Sequence, residues 1–294
     1  MDIITVLQQN TSFFLIVVGI ISLLIGSFLN AAIYRIPIML ENSWREDCEH
    51  FLEKKSVEAA HDEPGKFNLF VPRSRCPECS HMITAIENIP LLSYLFLKGK
   101  CRSCGTHISL QYPLVELFTM LLSLLIAWKF GATVQTLFAL FFIWTLITLS
   151  LIDAKTMLLP DNLTLPLLWL GIVVNYFGVF TDLRSSVLGA VFGYLSLWSV
   201  YQLFKLVTGK EGMGYGDFKL LAALGAWGGW QILPFTIFGS SLIGAIFGIL
   251  LMLIKRSKDS HPLPFGPWLA LAGGLALIWR SDLLTLMKQY LLIG

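Results

Sequence analysis

The sequence predicts an all-α polytopic membrane protein with about eight transmembrane helices and a cytoplasmic zinc-ribbon-like insert between the first and second. Three observations lead to this prediction. Of the 294 residues, 55% are hydrophobic and only 14% are charged, whereas about a quarter of a soluble domain is charged. The apolar residues fall into runs of roughly 20, the length that a helix needs to cross a bilayer. Two Cys-x-x-Cys pairs lie in the one long polar segment.

Eight apolar stretches have lengths close to that of a membrane helix, although the sixth and eighth are short. They cover residues 13–36, 113–130, 134–152, 162–180, 186–207, 218–231, 233–254 and 265–280. The first is longer than the apolar core of a cleaved signal peptide, and no Lys or Arg precedes it. We therefore expect it to be retained as a membrane span.

The Lys and Arg residues predict the orientation of these spans. If the polar segment 37–112 is cytoplasmic, 17 of the 21 basic residues lie on that side, as expected because short basic loops stay in the cytoplasm. Both termini then lie outside. The predicted parts are a first span (1–36), a cytoplasmic insert (37–112) and a transmembrane core (113–294). A net charge of +2 gives no indication of a nucleic-acid partner.

Two aspartates beside long apolar runs are candidate catalytic residues. Asp153 follows the third run, and Asp217 precedes the sixth in the sequence Gly-Tyr-Gly-Asp. A carboxylate at such a position is costly unless it is solvated, paired or used in function. The predicted topology places both at the cytoplasmic edge of the membrane. The alternative is that the glycines form a flexible loop and Asp217 caps the next helix.

A close pair of carboxyl groups has a definite chemistry. The two groups cannot both ionise easily, so they share a proton near neutral pH. The ionised member can deprotonate water while the protonated member donates to a scissile carbonyl oxygen. This chemistry is peptide hydrolysis without a covalent intermediate. Asp161 lies in the same predicted loop and is a third candidate, although we expect it to be the N-cap of the fourth span.

The insert carries four cysteines with the spacing of a metal site. Cys76 and Cys79 form one pair, Cys101 and Cys104 the other, and 21 residues separate the pairs. Four thiolates at this spacing can surround one tetrahedral, structural Zn²⁺. Two disulfides are the alternative, disfavoured in the reducing cytoplasm. Cys48 has no partner cysteine and is interpreted as a free thiol.

The chain resembles the type IV prepilin peptidases, which are bifunctional leader peptidases and N-methyltransferases of type IV pilus and type II secretion systems. The matching residues occur along most of the chain. They are 26–30, 34–37, both cysteine pairs, 88–94, 97–100, 112–116, Asp153, 160–161, 214–217 and 264–267.

The resemblance implies that Asp153 and Asp217 are catalytic and that the enzyme cuts prepilins and pseudopilins after a Gly, at the cytoplasmic face of the bacterial inner membrane. It also implies methylation of the new N-terminal residue, usually Phe, with S-adenosylmethionine as donor. The substrate helix would enter from the membrane lipid. Lys98, Gly99 and Lys100 are weak candidates for the methyltransferase site, and a tight basic turn is an equally good explanation of them.

Some assignments stay open at the level of sequence. Glu116, Asn30 and Gln111 could contribute to the S-adenosylmethionine site or be satisfied polar residues inside the helix bundle. An intramembrane protease of the presenilin or signal-peptide-peptidase kind also carries Gly-x-Gly-Asp, but it lacks a cysteine insert. A non-enzymatic membrane scaffold with a zinc ribbon is the alternative from a different class.

Overall fold

The structure, a computed structural model, describes residues 7–51, 67–255 and 263–291. Within these ranges the chain forms helices and turns and no β-strand, which confirms the predicted all-α class. The helices are α1 (Thr11–Phe51), α2 (Leu92–Phe96), α3 (Gln111–Phe130), α4 (Val134–Thr156), α5 (Asp161–Tyr176), α6 (Leu183–Thr208), α7 (Tyr215–Gly228), α8 (Leu233–Lys255), α9 (Gly266–Ile278) and α10 (Arg280–Leu291).

All eight predicted spans coincide with helices, but fewer of these helices are long enough to cross a membrane alone. In the described part of the chain, five helices meet that requirement, or six if α9 and α10, bent by 79°, count as one span. Helix α5 has 16 residues and α7 has 14. At 1.5 Å per residue a 14-residue helix reaches about 21 Å, less than the roughly 30 Å of a hydrocarbon core.

The chain divides into two compact units, Met1–Trp128 and Lys129–Gly294, called unit 1 and unit 2 below. In unit 1, α1 continues well past the predicted end of the first span and reaches Phe51. Its Gly26 packs on α3 so closely that an added Cβ would lie 2.8 Å from Glu116 Cα. Small residues at such crossings let helix backbones approach each other within a membrane.

Helix α7 is the core of unit 2. Its residues from Asp217 to Gly228 are buried apart from Lys219, as expected of a helix that is apolar on all sides. Helix α6 packs against it backbone to backbone, since a Cβ on Gly193 would lie 2.6 Å from Leu221 O. The Trp227 indole of α7 donates to Leu167 O of α5 at 2.8 Å. These contacts fix the helix that carries one of the two aspartates.

Candidate functional site

Asp153 lies in the last turn of α4 and is only 5% exposed. The helix ends at Met157, which adopts a left-handed conformation and donates its N–H to Asp153 O at 2.9 Å. This cap turns the chain sharply after Asp153. The short segment 157–160 then leads directly into α5.

Asp217 lies in the first turn of α7 and is 8% exposed. The helix begins after Gly214, whose backbone is extended. Gly216 has no room for a side chain, because an added Cβ would lie 2.7 Å from Leu159 Cβ. A glycine beside a catalytic acid could in principle let a substrate backbone approach the carboxylate. In the structure, the space beside Gly216 is filled by the segment that follows Asp153.

The structure brings the two aspartates together. They belong to neighbouring helix ends of unit 2, and their carboxyl groups are close enough to interact electrostatically. Gly266, the first residue of α9, donates its backbone N–H to Asp153 Oδ2 at 3.0 Å. A Cβ on Gly266 would lie 2.6 Å from the same oxygen. Two buried carboxyl groups that interact with each other can divide the tasks of acid and base between them.

The N-cap prediction for Asp161 is wrong by one residue, because Pro160 holds the cap position and Asp161 is the first helical residue. Its carboxylate instead accepts two hydrogen bonds from Lys219 Nζ, both at 2.7 Å. Lys219 follows Asp217 by two residues on α7. This ion pair therefore links the segment after Asp153 to the helix that carries Asp217.

Sequence reasoning gave no role to Gly266 or to Lys219. Gly266 lies 113 residues from its partner Asp153, and Lys219 lies 58 residues from Asp161. The Gly-Pro pair at the start of α9 was a usable signal, since Pro favours the first turn of a helix and therefore marks where α9 begins. For Lys219, its position in the same helical turn as Asp217 was the only indication.

The four cysteines of the insert meet at one point in unit 1. Their Sγ atoms all lie within 4.8 Å of one another, with 3.8 Å between Cys76 and Cys104 and 4.0 Å between Cys79 and Cys101. A tetrahedron of thiolates at the usual Zn–S length of about 2.3 Å has edges of about 3.8 Å. All four are free cysteines. The cluster can therefore hold one metal ion, and its geometry fits zinc.

The two halves of this cluster share one backbone fold. Cys76 N–H donates to His81 O at 2.9 Å, and Cys101 N–H donates to Thr106 O at 2.8 Å. The residue four positions after each of these cysteines has a positive φ, 56° at Ser80 and 74° at Gly105. Each Cys-x-x-Cys pair thus sits on a tight turn that aims both thiols at the same point.

Glu87 joins the two turns. Its Oε2 accepts hydrogen bonds from the backbone N–H and the hydroxyl of Thr84, both at 2.9 Å, and lies 3.3 Å from His81 Nε2. Its Oε1 lies 3.8 Å from Arg102 of the second turn. The Thr84 hydrogen bonds, with a contribution from His81, hold the pKa of Glu87 below its usual value. The carboxylate is therefore suited to connect the two halves as an anion.

Lys98, Gly99 and Lys100 form a tight turn on the ring of Tyr94. Lys98 and Gly99 have φ angles of 51° and 67°, and a Cβ on Gly99 would lie 2.7 Å from the Tyr94 hydroxyl. Both lysines are exposed. This geometry explains why a glycine stands between the lysines. That the three residues contact S-adenosylmethionine stays a prediction.

Glu116 and Asn30 are buried and hold backbone within unit 1. Glu116 Oε2 accepts the N–H of Leu91 at 2.8 Å, and Asn30 Nδ2 donates to Tyr112 O at 3.0 Å. Leu91 has a positive φ of 58°, so the Glu116 hydrogen bond stabilises an unusual backbone conformation. Gln111 is the half-buried first residue of α3.

Two family models match the chain. Residues 20–130 match the bacterial peptidase A24 N-terminal domain, and residues 140–249 match the type IV leader peptidase family. The first match covers the cysteine cluster, and the second covers both aspartates.

Curated relatives match along nearly the whole chain. A prepilin leader peptidase/N-methyltransferase of Stutzerimonas stutzeri is 51% identical over 97% of this chain and 97% of its own length. The proteins of that name from Pseudomonas aeruginosa and Aeromonas salmonicida are 51% and 55% identical, over 99% and 90% of this chain and 99% and 91% of their own lengths. No solved structure matches. With this identity along both units, the chain belongs to the type IV leader peptidase family.

Proposed function

We propose that this chain is a membrane aspartic endopeptidase that removes the basic leader peptide of type IV prepilins and pseudopilins. It also methylates the new N-terminal residue, usually Phe, with S-adenosylmethionine as the methyl donor. The observation that carries the peptidase is the pair of buried carboxyl groups of Asp153 and Asp217, which interact at neighbouring helix ends. The names of the curated relatives support both reactions.

The environment of the pair suits this substrate. A prepilin has a short basic leader followed by a long apolar helix, so its cleavage point lies at a membrane surface. Asp153 ends a helix long enough to cross the membrane, and Asp217 begins the short helix α7. With the insert in the cytoplasm, as the positive-inside distribution of Lys and Arg favours, both aspartates lie at the cytoplasmic face of the inner membrane. The substrate helix enters from the surrounding lipid.

The four cysteines hold one structural Zn²⁺ in this proposal. When bound, the ion supplies folding energy to the insert and takes no part in hydrolysis. The tight turns around Cys76 and Cys101 orient the thiols, and Glu87 connects these turns. Family members that keep this insert are the ones expected to carry the second activity, so methylation is assigned to this chain together with cleavage.

Co-expression with a prepilin, followed by mass spectrometry of the pilin N-terminus, tests both reactions at once. We expect the wild type to yield a cleaved and methylated N-terminus, and Asp153→Asn and Asp217→Asn to leave the leader attached. Asp282→Asn is the matched control, since Asp282 is an exposed carboxylate of the same unit, paired with Lys129. Intact cleavage in both active-site variants would favour a non-enzymatic scaffold. A mature N-terminus without a methyl group would leave the peptidase alone.

A further inference from the structure

The two aspartates differ in the groups that surround them. Asp153 Oδ2 accepts the Gly266 N–H at 3.0 Å in a direction fixed by the start of α9. A hydrogen bond donated to a carboxylate stabilises the ionised form over the protonated form. Asp153 is therefore provided with a partner for its negative charge.

Asp217 has the opposite surroundings. Its Oδ1 is buried and has no hydrogen-bond partner among the residues that the structure describes. The amide of Gly214 is the backbone donor that acts on this carboxyl group, and the nearby charge of Asp153 opposes a second negative charge. An unpaired buried oxygen is costly as part of an anion. A proton on Asp217 removes that cost and provides a donor for a substrate.

Both aspartates lie close to the start of a helix, Asp217 within α7 and Asp153 beside α9. A helix N-terminus favours negative charge in either place, but Asp153 also lies in the last turn of α4, whose dipole opposes negative charge, so helix dipoles are not the basis of the assignment. Each carboxyl group has one backbone amide acting on it, from Gly266 and from Gly214, so the buried Asp217 Oδ1 without a hydrogen-bond partner among the described residues is what separates them. The division of roles therefore follows from hydrogen bonds at individual atoms.

We propose that Asp153 is the general base, that Asp217 is the general acid, and that Gly266 is a positioning residue whose N–H holds Asp153 in its ionised form. This inference rests on the peptidase function proposed above. Gly266 acts through Asp153 and does not itself touch the reacting atoms.

The assignment gives a balanced hydrolysis. The Asp153 carboxylate takes a proton from water while the water oxygen bonds to the scissile carbonyl carbon, and Asp217 gives its proton to the carbonyl oxygen. In the second step the C–N bond breaks and the leaving nitrogen takes the proton held by Asp153. One hydroxyl of the tetrahedral intermediate returns its proton to Asp217. Both groups then have their starting protonation states.

Gly266→Ala tests the assignment because the added methyl would lie 2.6 Å from Asp153 Oδ2 and must displace it from the amide. We expect cleavage to have a bell-shaped pH profile of kcat/KM, whose acid limb reports the base and whose alkaline limb reports the acid. Gly266→Ala should move the acid limb upward by about one pH unit, the size of one hydrogen bond to a charged group. The alkaline limb should stay in place, with kcat lowered by about tenfold and KM little changed.

Gly239→Ala is the matched control, because its added Cβ meets Ala272 Cβ at 3.5 Å, an ordinary contact within the same unit. Its pH profile should equal that of the wild type. Movement of the alkaline limb in Gly266→Ala would reverse the roles of the two aspartates. If Gly266→Ala lowers the maximum of the kcat/KM profile but moves neither limb, Gly266 serves only in packing, and the proposal is overturned.

Infrared spectroscopy of the full-length protein at neutral pH gives a second measurement that needs no turnover. The C=O stretch of a protonated carboxylic acid should be lost only when Asp217 is replaced by Asn, so the band should appear in the wild-type-minus-variant difference for that variant alone. Loss of this band in Asp153→Asn and its persistence in Asp217→Asn would overturn the assignment. Continued cleavage by both Asn variants would instead contradict the peptidase function itself, so the two failures are distinguishable.

Discussion

The aspartate pair of unit 2 and the cysteine cluster of unit 1 are built in different ways. The aspartates sit at the ends of α4 and α7, and the packing of long helices around α7 holds them in buried positions. The cysteines sit on two short turns held by a few backbone hydrogen bonds, and Cys79 and Cys104 are exposed. Helix packing alone can hold the aspartates in place. The two short turns that carry the cysteines would need a metal ion bound by the four thiols to hold them together. The aspartate site uses stability that the fold already has, whereas the cysteine site, with the proposed zinc bound, would supply stability to the turns around it.

Removal of the zinc ion proposed for the cysteine cluster is expected to have the largest effect. Apparent binding energies of structural zinc reach about 10–16 kcal/mol in small domains, more than a few turns can replace. Chelation, or Cys76→Ser with Cys101→Ser, should open the insert to protease and abolish methylation. Metal analysis of the wild type should give about one Zn²⁺ per chain.

Cys48→Ser is the control for this experiment, because Cys48 is an exposed cysteine of α1 outside the cluster. It should keep the metal and the protease resistance of the wild type. A wild-type protein without zinc, or an insert that stays resistant after chelation, would contradict the structural role of the metal.

Replacement of either aspartate by Asn should have the second largest effect and separates function from stability. Loss of an acid or base lowers a catalysed rate by about 10²–10⁴-fold, so cleavage should fall by at least that amount. Asn carries no charge and relieves the crowding of two buried carboxyl groups, so the melting temperature should stay equal or rise. A melting temperature that falls by several degrees in both variants would mean that the pair stabilises the bundle, against the contrast drawn above.

A smaller effect is expected at Gly216, next to Asp217, because it packs against Leu159 in the segment that follows Asp153. In Gly216→Ala the new methyl would lie 2.7 Å from Leu159 Cβ, and overpacking of this kind costs about 1–3 kcal/mol. The segment 157–160 should shift, with a loss of thermal stability and of cleavage. Gly239→Ala, with its ordinary contact, is again the control. Full stability and activity in Gly216→Ala would show that segment 157–160 can move to accommodate the added methyl group without cost.

The sequence predicted those parts of both sites whose signals are local. The cysteine spacing is contained in 29 consecutive residues, and each aspartate adjoins an apolar run. Gly266 and Lys219 were missed because their partners, Asp153 and Asp161, lie far away in the sequence. The residues next to Gly266 and Lys219 do not indicate which distant residue they contact. Eight spans were expected, and in the described part of the chain five or six helices are long enough to cross a membrane, because apolar stretches do not reveal where a helix stops: α7 ends at Gly228, after 14 residues. Asp161 was misplaced at the N-cap by a one-residue boundary error.

The ion pair between Asp161 and Lys219 gives the smallest expected effect on stability. Its side chains are 55% and 28% exposed, and such pairs contribute about 0–1 kcal/mol. Because it ties the segment after Asp153 to the helix of Asp217, its loss should affect cleavage more than stability. Lys219→Met and Asp161→Asn should each lower kcat about two- to fivefold, the size of a contribution near 1 kcal/mol, while the melting temperature stays nearly constant.

The pair Lys129–Asp282 is the matched control for this test. It lies in the same unit and has the same 2.7 Å separation, with side-chain exposures of 27% and 56%. Neutral variants of that pair should have equally small effects on the melting temperature and none on cleavage. Reversal of both charges, Asp161→Lys with Lys219→Asp, should restore most of the lost kcat if the link itself matters. Equal activity in the variants of both pairs would show that the Asp161–Lys219 pair is only a solvated surface contact, and that helix packing alone aligns the two aspartates.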